Sequence, residues 1–392
     1  MAKSVSIYLD NHATTAVDPR VAKAMWPYLT DNYGNPASSG HAFGWAAKEA
    51  VELAREEVAE LIGASPKEVV FTSGATESTN LAILGAARAN AHVGKHLITL
   101  ATEHKATLDA CSALEAEGFE VTVLPVLPSG LVDLKLLKST VREDTLLVSI
   151  LMANNEIGSL QPVADIGAFC REKGVLLHTD VAQATGKVAV DVRSLQVDLV
   201  SITAHKMHGP KGVGALYVRR GRPRVKLAPM IHGGGQERGL RSGTLATHQI
   251  VGLGKSCVYA KEALENGEVL RMRELRDRLW AILQQGIEGV SLNGAMEARL
   301  PNNLNVSIER VDPKALLTAT RRVAVSSGSA CASSQLTPSH VLQALGGSED
   351  SMHTAIRFGV GRFTTLDEIE EAGSLFVEQV AQVRADQLAL GL

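Results

Sequence analysis

Short apolar runs alternate with stretches of helical periodicity from residue 68 to 218, and this alternation restricts the possible folds strongly. Strands that are apolar throughout and separated by helices such as ESTNLAILGAARA and VADIGAFCREKG are typical of a mainly parallel sheet covered on both faces. The last two runs are joined by a short polar connection, which predicts a hairpin or an edge strand. The seven candidate strands are EVVFT, HLITLA, FEVTVL, TLLVSIL, GVLLHTD, DLVSIT and GALYVRR.

The remainder of the chain predicts a second, smaller α/β unit. A long helical stretch covers roughly residues 246 to 283 and leads into a part with the runs NLNVSI and AIRFGVG and a final helix beginning near Leu366. A chain of 392 residues is long enough for two domains. We predict a large domain over residues 15–260 and a small domain formed by residues 1–14 and 261–392.

The overall charge and hydrophobicity exclude several classes of protein. The formal net charge is -3, so no basic surplus favours direct binding of nucleic acid. No apolar run approaches the roughly 20 residues needed to span a bilayer. The first residues, MAKSVSIYLDNHATT, lack the apolar core of a signal peptide. We therefore expect a cytoplasmic enzyme without a membrane partner.

The four cysteines are not arranged as a metal or disulfide framework. They form no CxxC pair, so neither a zinc site nor a set of disulfides is expected. Cys111, Cys170 and Cys257 lie in helix-like stretches and are predicted to be packing residues. Cys331 has a different setting, described below.

The segment TSGATEST follows the run EVVF and leads into a predicted helix. Gly74 permits a tight turn, and the N–H groups that follow it lie at the positive end of the helix dipole. Together with the Thr76 hydroxyl they could hold a phosphate group. The alternative is a helix N-cap without a ligand.

Polar residues also follow other predicted strands, at the edge where open α/β sheets bind ligands. His104 follows HLITLA and is either structural or able to stack on an aromatic ligand. Asn155 belongs to the segment NNEIG, whose amides need turn or ligand partners. Asp180 ends the run GVLLHTD and needs a cationic partner, and Gln183 could face the same cavity.

Lys206 follows the run DLVSIT, in the segment SITAHKMHGPKGVG. A lysine amine becomes a useful base or imine former only when its charge is suppressed. Pyridoxal 5'-phosphate would explain three strand ends together, because Lys206 could bond to its aldehyde while Asp180 pairs with its pyridinium nitrogen. The turn at Gly74 would hold its phosphate. We therefore predict that Lys206 is an imine-forming lysine.

The chain resembles cysteine desulfurases of the IscS/NifS type, in the class V aminotransferase group of fold type I pyridoxal phosphate enzymes. The resemblance extends over essentially the whole chain and includes a loop pattern, SSGSAC, typical of the long-loop subgroup. Ten motifs in order make it specific: YLDNHATTAVDPRV, YGNPASSGHAFG, FTSGATESTNLAI, TEHKATLDAC, NNEIG, HTDVAQATGK, AHKMHGPKGVGALYVRR, HGGGQERGLRSGT, SSGSACAS and IRFGVGRFTT.

The resemblance implies roles around the cofactor ring. Lys206 carries pyridoxal phosphate and, once free, removes the substrate Cα proton. Asp180 binds the ring nitrogen, and Gln183 hydrogen-bonds the phenolic oxygen. His104 stacks on the ring and takes part in protonating the product. Asn155 contacts both the cofactor and the substrate.

The resemblance also implies contacts to phosphate and to substrate. Arg357 would hold the substrate carboxylate with two parallel hydrogen bonds. Thr244 is expected to reach the phosphate in the partner subunit, which implies a homodimer. The phosphate in the chain's own site is assigned to Ala75, Thr76, Thr203 and His205.

Cys331 lies in AVSSGSACASSQLTPS, whose small and polar residues predict a surface loop over about residues 326–337. By the resemblance, its thiolate attacks the sulfur of L-cysteine and becomes a persulfide, while L-alanine is released. The group that activates the thiol is not identified by the sequence. The expected acceptors are an iron–sulfur scaffold protein or a tRNA-thiolation protein. No metal is expected in the free enzyme, although Cys331 could ligate a cluster iron transiently with a scaffold.

Two departures from the family pattern and two rival functions remain. The lysine segment reads TAHKMHGP where housekeeping members usually have SGHK followed by an aromatic residue. The chain ends at VRADQLALGL, so docking through a longer C-terminal tail is not expected.

One rival function is another pyridoxal phosphate enzyme, an aminotransferase or a selenocysteine lyase. The other is a catalytically inactive scaffold or sulfur-relay partner.

Overall fold

A computed structural model describes residues 6–327, 339–347 and 352–389 of the chain. Its β-strands build one large sheet, one small sheet and a short two-stranded pair. In chain order the strands are β1 (Ile7–Tyr8), β2 (Val69–Thr72), β3 (His96–Leu100), β4 (Glu120–Leu124), β5 (Thr145–Ser149), β6 (Leu176–Asp180), β7 (Leu199–Thr203), β8 (Gly214–Val218), β9 (Val290–Leu292), β10 (Asn303–Ile308), β11 (Val323–Ala324), β12 (Ser326–Ser327) and β13 (Ile356–Gly359).

The α-helices fill the intervals between these strands and follow the last of them. Short 3-10 turns occur at Pro66–Glu68, Ala204–Lys206 and Glu237–Gly239. The helices of the described residues are α1 (Pro19–Met25), α2 (Pro27–Thr30), α3 (Ala42–Leu61), α4 (Ala75–Asn90), α5 (Lys105–Ala116), α6 (Leu134–Thr140), α7 (Val163–Lys173), α8 (Thr247–Glu265), α9 (Glu268–Gly286), α10 (Pro313–Ala319), α11 (His340–Ala344) and α12 (Leu366–Ala389).

The large sheet has seven strands in the order β2-β8-β7-β6-β5-β3-β4. β8 runs in the direction opposite to the other six strands, and the remaining pairs are parallel. The prediction of a mainly parallel seven-stranded sheet is therefore confirmed. The hairpin predicted for the last two strands is formed by β7 and β8. The alternative of an edge strand is wrong, because β8 lies between β2 and β7. Every residue of β8 is buried, as its continuous apolar run requires.

Both faces of the large sheet are covered, as the sequence predicts. Alternate strand residues point to opposite faces. Ile98 and Leu100 of β3 belong to a core that includes residues of α3 and α7. Leu97, directly before Ile98 and therefore on the opposite face, packs in a different core with residues of α4 and α5. The helices that follow the strands therefore bury the two faces in separate layers.

The small sheet has the order β12-β13-β10-β9 and is antiparallel throughout. It shares a core with α9 and α12, where the rings of Phe358 and Phe376 meet edge to face at 4.9 Å. Ile7 and Leu9, near the start of the chain, pack into the same core. The final helix begins at Leu366, where it was predicted. The residue boundaries proposed for the two domains stay a prediction.

The helical stretch predicted over roughly residues 246 to 283 is helical, but it is divided into two helices. α8 ends at Glu265 and α9 begins at Glu268. Gly267 adopts φ 85°, a left-handed conformation that breaks the helical path and that glycine tolerates best. The apolar periodicity continues on both sides of this break, which explains why the sequence pattern is uninterrupted.

Within the described ranges, no helix has the length and apolar character needed to cross a bilayer.

A buried ion pair joins α3 to the sheet. Arg55 of α3 donates to both carboxylate oxygens of Glu237 at 2.8 Å, and both side chains are at most 5% exposed. Glu237 also accepts the backbone N–H of Phe71 in β2 at 2.8 Å. One carboxylate therefore connects a helix, a strand and the loop that contains Glu237.

Replacing Glu237 by Ala is expected to lower the free energy of unfolding by about 3–5 kcal/mol, because the buried Arg55 guanidinium then keeps only the half-exposed Glu52 as an ionic partner and the buried Phe71 N–H loses its acceptor. Urea denaturation of both proteins measures the difference. The matched control is Glu288→Ala, which removes an exposed ion pair with Arg310 and should change stability much less. Equal losses in the two variants would contradict the importance of the buried pair.

Candidate active site

A cavity of about 490 Å³ opens at the carboxyl ends of the parallel strands. The segments that follow β2, β3, β6 and β7 meet there, because strands of the same direction end at the same edge of a sheet. Seven residues predicted from the sequence line this cavity: Ala75, Thr76, His104, Asp180, Thr203, His205 and Lys206.

The turn between β2 and α4 forms the anion-binding end of the cavity. Gly74 adopts φ 148° and precedes α4 without a side-chain cap, so side chains do not cap the first N–H groups of the helix. A Cβ added at Gly214 would lie 2.7 Å from the Gly74 Cα, so the two backbones approach as closely as only glycine permits. Free N–H groups at a helix start, beside the Thr76 and Thr203 hydroxyls, suit a phosphate group.

Lys206 lies on the 3-10 turn directly after β7, and its side chain faces the cavity. Burial lowers the pKa of its amine to about 8, against an opposing effect of the Asp180 carboxylate. Within the described part of the chain, no hydrogen bond or ion pair engages its Nζ atom. Its backbone carbonyl accepts a hydrogen bond of 2.8 Å from the buried Lys187. The hydrogen bond from Lys187 therefore holds the backbone of Lys206 in place, and the Lys206 amine is available to bond to a ligand.

Asp180 and His104 flank the lysine with defined hydrogen bonds. Oδ1 of Asp180 accepts the N–H of Ala182 at 2.7 Å, which orients the carboxylate at the end of β6. Nδ1 of His104 accepts the N–H of Ala106 at 3.1 Å at the start of α5. That hydrogen bond assigns the ring proton to Nε2. Burial also lowers the pKa of His104, so its imidazole is neutral.

Arg357 of β13 comes from the small sheet and is held by polar partners. Its guanidinium donates to the Asn155 carbonyl at 2.9 Å, to Asp10 at 2.8 Å and to Ser326 at 2.9 Å. Its Nε is buried without a partner in the described residues. The structure thus joins Arg357 to Asn155, although through the backbone oxygen of Asn155.

Within the described ranges, four predicted residues do not line the cavity: Asn155, Arg357, Gln183 and Thr244. Thr244 is exposed in a separate groove of about 260 Å³, beside the loop residues Asn35 and Ala37. Gln183 is buried and hydrogen-bonded to His12. Cys331 lies outside the described residues.

The sequence analysis missed functional candidates in the segment DNHATT. Asp10 binds Arg357, His12 binds Gln183, and Thr14 lines the cavity and meets Nδ1 of His205 at 3.1 Å. These residues directly follow β1. Applying the strand-end argument to the first apolar run, before the main alternation begins, would have identified this segment.

The His205 ring lies among cationic groups. Burial, reinforced by Lys206 and Lys211, lowers the pKa of His205 to about 4. Its imidazole is neutral at pH 7, so it contributes hydrogen bonding and not charge to the anion-binding end of the cavity.

Known proteins are similar in sequence to this chain over nearly its whole length. The aminotransferase class-V family pattern matches residues 7–371. A relative named cysteine desulfurase IscS from Methylococcus capsulatus is 55% identical over 378 residues, which are 96% of this chain and 93% of the relative. A protein of the same name from Neisseria meningitidis serogroup A is 54% identical over 98% of this chain and 94% of its own length.

Solved structures agree with the sequence comparison. A NifS-like protein superposes with a TM-score of 0.89 at 38% identity, covering 96% of this chain and all of its own. DndA from Streptomyces lividans gives a TM-score of 0.77 at 42% identity, covering 90% of this chain and 99% of its own. The chain therefore belongs to the class V aminotransferase family, in the group whose curated members carry the name cysteine desulfurase IscS.

Proposed function

We propose that this protein is a pyridoxal phosphate-dependent cysteine desulfurase that converts L-cysteine to L-alanine and passes the sulfur to acceptors. The observation that carries the proposal is the Lys206 amine, which has no partner among the described residues and lies in the cavity beside Asp180 and the start of α4. The names of the close relatives support the same activity.

The residues present fit pyridoxal phosphate. The uncapped start of α4 suits the phosphate, and the Asp180 carboxylate suits a protonated ring nitrogen. The neutral ring of His104 can stack on an aromatic group, and Lys206 can bond to the aldehyde. When bound, the cofactor supplies an electron sink for negative charge at the substrate Cα.

Lys206 is suited to moving a proton at its Nζ. With a pKa of about 8, roughly one amine in ten is neutral at pH 7, compared with fewer than one in a thousand for an ordinary lysine. A neutral amine beside the substrate Cα can act as the general base. His104, with its proton on Nε2, is proposed to assist protonation of the product.

Arg357 is proposed to hold the substrate carboxylate. A guanidinium binds a carboxylate through paired hydrogen bonds, and Asp10 with the Asn155 carbonyl orients it beforehand. The buried Nε, which has no partner in the part of the chain that the structure describes, gives the substrate a further donor. Orientation before binding reduces the entropy that the substrate complex costs.

Cys331 is proposed to receive the sulfur as a persulfide. The other three cysteines, Cys111, Cys170 and Cys257, are buried. Burial raises the pKa of Cys111 and Cys170 to about 12, and it raises that of Cys257 further. Thiols with so little thiolate are poor nucleophiles. Elimination among the four cysteines therefore supports the residue that the family resemblance assigns.

We further propose a homodimer in which Thr244 reaches the partner's site. Large aromatic side chains are exposed on the segments that line the groove containing Thr244: Tyr33, two residues before Asn35, is 67% exposed, and Trp45, three residues before Lys48, is 58% exposed. Monomeric proteins rarely leave such a group of aromatic residues in water. The acceptors, an iron–sulfur scaffold or a tRNA-thiolation protein, and the cytoplasmic location stay predictions.

Two alanine variants separate the roles of the lysine and the cysteine. Lys206→Ala should lose both the visible absorption of the bound cofactor and the release of sulfide from L-cysteine. Cys331→Ala should keep the absorption and lose sulfide release, because the cofactor site is intact and the sulfur has no acceptor. Absorption spectra and sulfide assays measure both. Wild-type rates of sulfide release from Cys331→Ala would contradict the assigned nucleophile.

The rate at which the apo-protein takes up pyridoxal phosphate should depend on the charge of Lys206. Only the neutral amine attacks an aldehyde, so the rate should rise with pH and reach its half-maximum near pH 8, where the amine loses its proton. Stopped-flow absorption over pH 6 to 10 measures this. A midpoint near 10, typical of an exposed lysine, would show that the site does not suppress the charge.

A further inference from the structure

His12 and Gln183 form a closed pair of hydrogen bonds in the protein interior. Nδ1 of the His12 ring meets Oε1 of Gln183 at 2.9 Å. Nε2 of Gln183 donates to the His12 carbonyl at 2.9 Å. The two residues are 0% and 3% exposed, so water does not compete for these groups. The amide is therefore held at both ends by a single residue.

The two hydrogen bonds determine which end of the amide points in which direction. Oε1 can only accept, so Nδ1 of His12 carries the ring proton. A flipped amide would place its oxygen against the His12 carbonyl and its NH₂ group against the Nδ1 proton, and both contacts would be repulsive. The His12 carbonyl therefore selects the nitrogen end of the amide, and the ring N–H of His12 holds the oxygen end, so the side chain adds a second contact that fixes the orientation.

The surroundings keep the His12 ring neutral and in place. Burial, together with the cations Arg357, Lys187 and Lys206, lowers the pKa of His12 well below its usual value. A neutral ring has one N–H, and the contact to Gln183 is shorter than the 3.3 Å from Nε2 to the Asn302 carbonyl. A Cβ added at Gly359 would lie 2.8 Å from the ring, so the ring is closely packed.

One N–H of Gln183 is left over. The amide nitrogen has two hydrogens, and within the described ranges its hydrogen bonds go only to the His12 carbonyl. Ala182 and Ala13, the chain neighbours of Gln183 and His12, line the cavity beside Lys206. A buried N–H needs an acceptor, and a ligand in this cavity can provide it.

We propose that His12 is a positioning residue that directs this N–H of Gln183 at the phenolic oxygen of bound pyridoxal phosphate. The inference rests on the proposed function, because it requires the cofactor in the cavity. An N–H donated to the phenolic oxygen stabilises its negative charge. The oxygen then holds less strongly the proton that it shares with the Lys206 nitrogen, and the pKa of the lysine–cofactor chromophore falls.

The experiment is a pH titration of the visible absorption of the loaded enzyme. His12→Ala and Gln183→Ala should each raise the chromophore pKa by about 0.5–1 unit, because a donor to the phenolic oxygen is lost or misdirected. The double variant should show no larger shift than either single variant, since both act through one hydrogen bond. His12→Asn, whose side-chain NH₂ can replace the Nδ1 proton, should restore the wild-type value.

Other outcomes separate this inference from the proposed function. An unchanged chromophore pKa in His12→Ala, or additive shifts in the double variant, would overturn the role of His12. If His12→Ala does not fold, His12→Phe preserves the ring volume without the N–H and should show the same upward shift; an unshifted pKa there also overturns the role. A wild-type protein without any chromophore would contradict the proposed function, and this inference with it.

Discussion

The site depends on one constraint. A lysine amine is buried in the cavity, where its positive charge is unfavourable because burial deprives it of hydrating water. Burial lowers the pKa of Lys206 to about 8, and the nearby Asp180 carboxylate limits the fall. Parallel strands make this possible, because β2, β3, β6 and β7 bring separate polar segments to one edge while their apolar residues fill the cores on both faces. The sheet holds these segments rigidly in place, and the residues that follow the strands carry the reactive side chains.

Much of the architecture could be predicted because the relevant signals are local. Most strands of the large sheet are predominantly apolar runs, and polar residues begin where the run stops, as at Asp180 and after Thr203. The residues after the predicted strands therefore included Thr76, His104, Asp180 and Lys206 of the cavity, and the family resemblance added Ala75, Thr203 and His205. Local patterns did not indicate the break at Gly267, where one glycine divides a helical stretch whose apolar pattern continues, nor the position of β8 inside the sheet, which depends on pairing with the distant β2.

The remaining parts of the site depend on contacts between residues far apart in the chain. Arg357 is 347 positions from Asp10, and Gln183 is 171 positions from His12. No local sequence pattern predicts such pairs. β1 is only two residues long, so its sequence gives little indication of a strand. Family resemblance indicated Arg357 and Gln183, whereas only the folded chain revealed which residues orient them. The polar network around the site is thus a property of the tertiary structure.

The central claim is that the Lys206 amine is the group that bonds to the cofactor aldehyde. Borohydride reduction of the purified protein, followed by proteolysis and peptide mass mapping, tests it most directly. The account predicts a pyridoxyl group on the peptide that contains Lys206 and at that side chain. A protein that carries the pyridoxyl group on another lysine, such as Lys187 or Lys211, or that carries none, would contradict it.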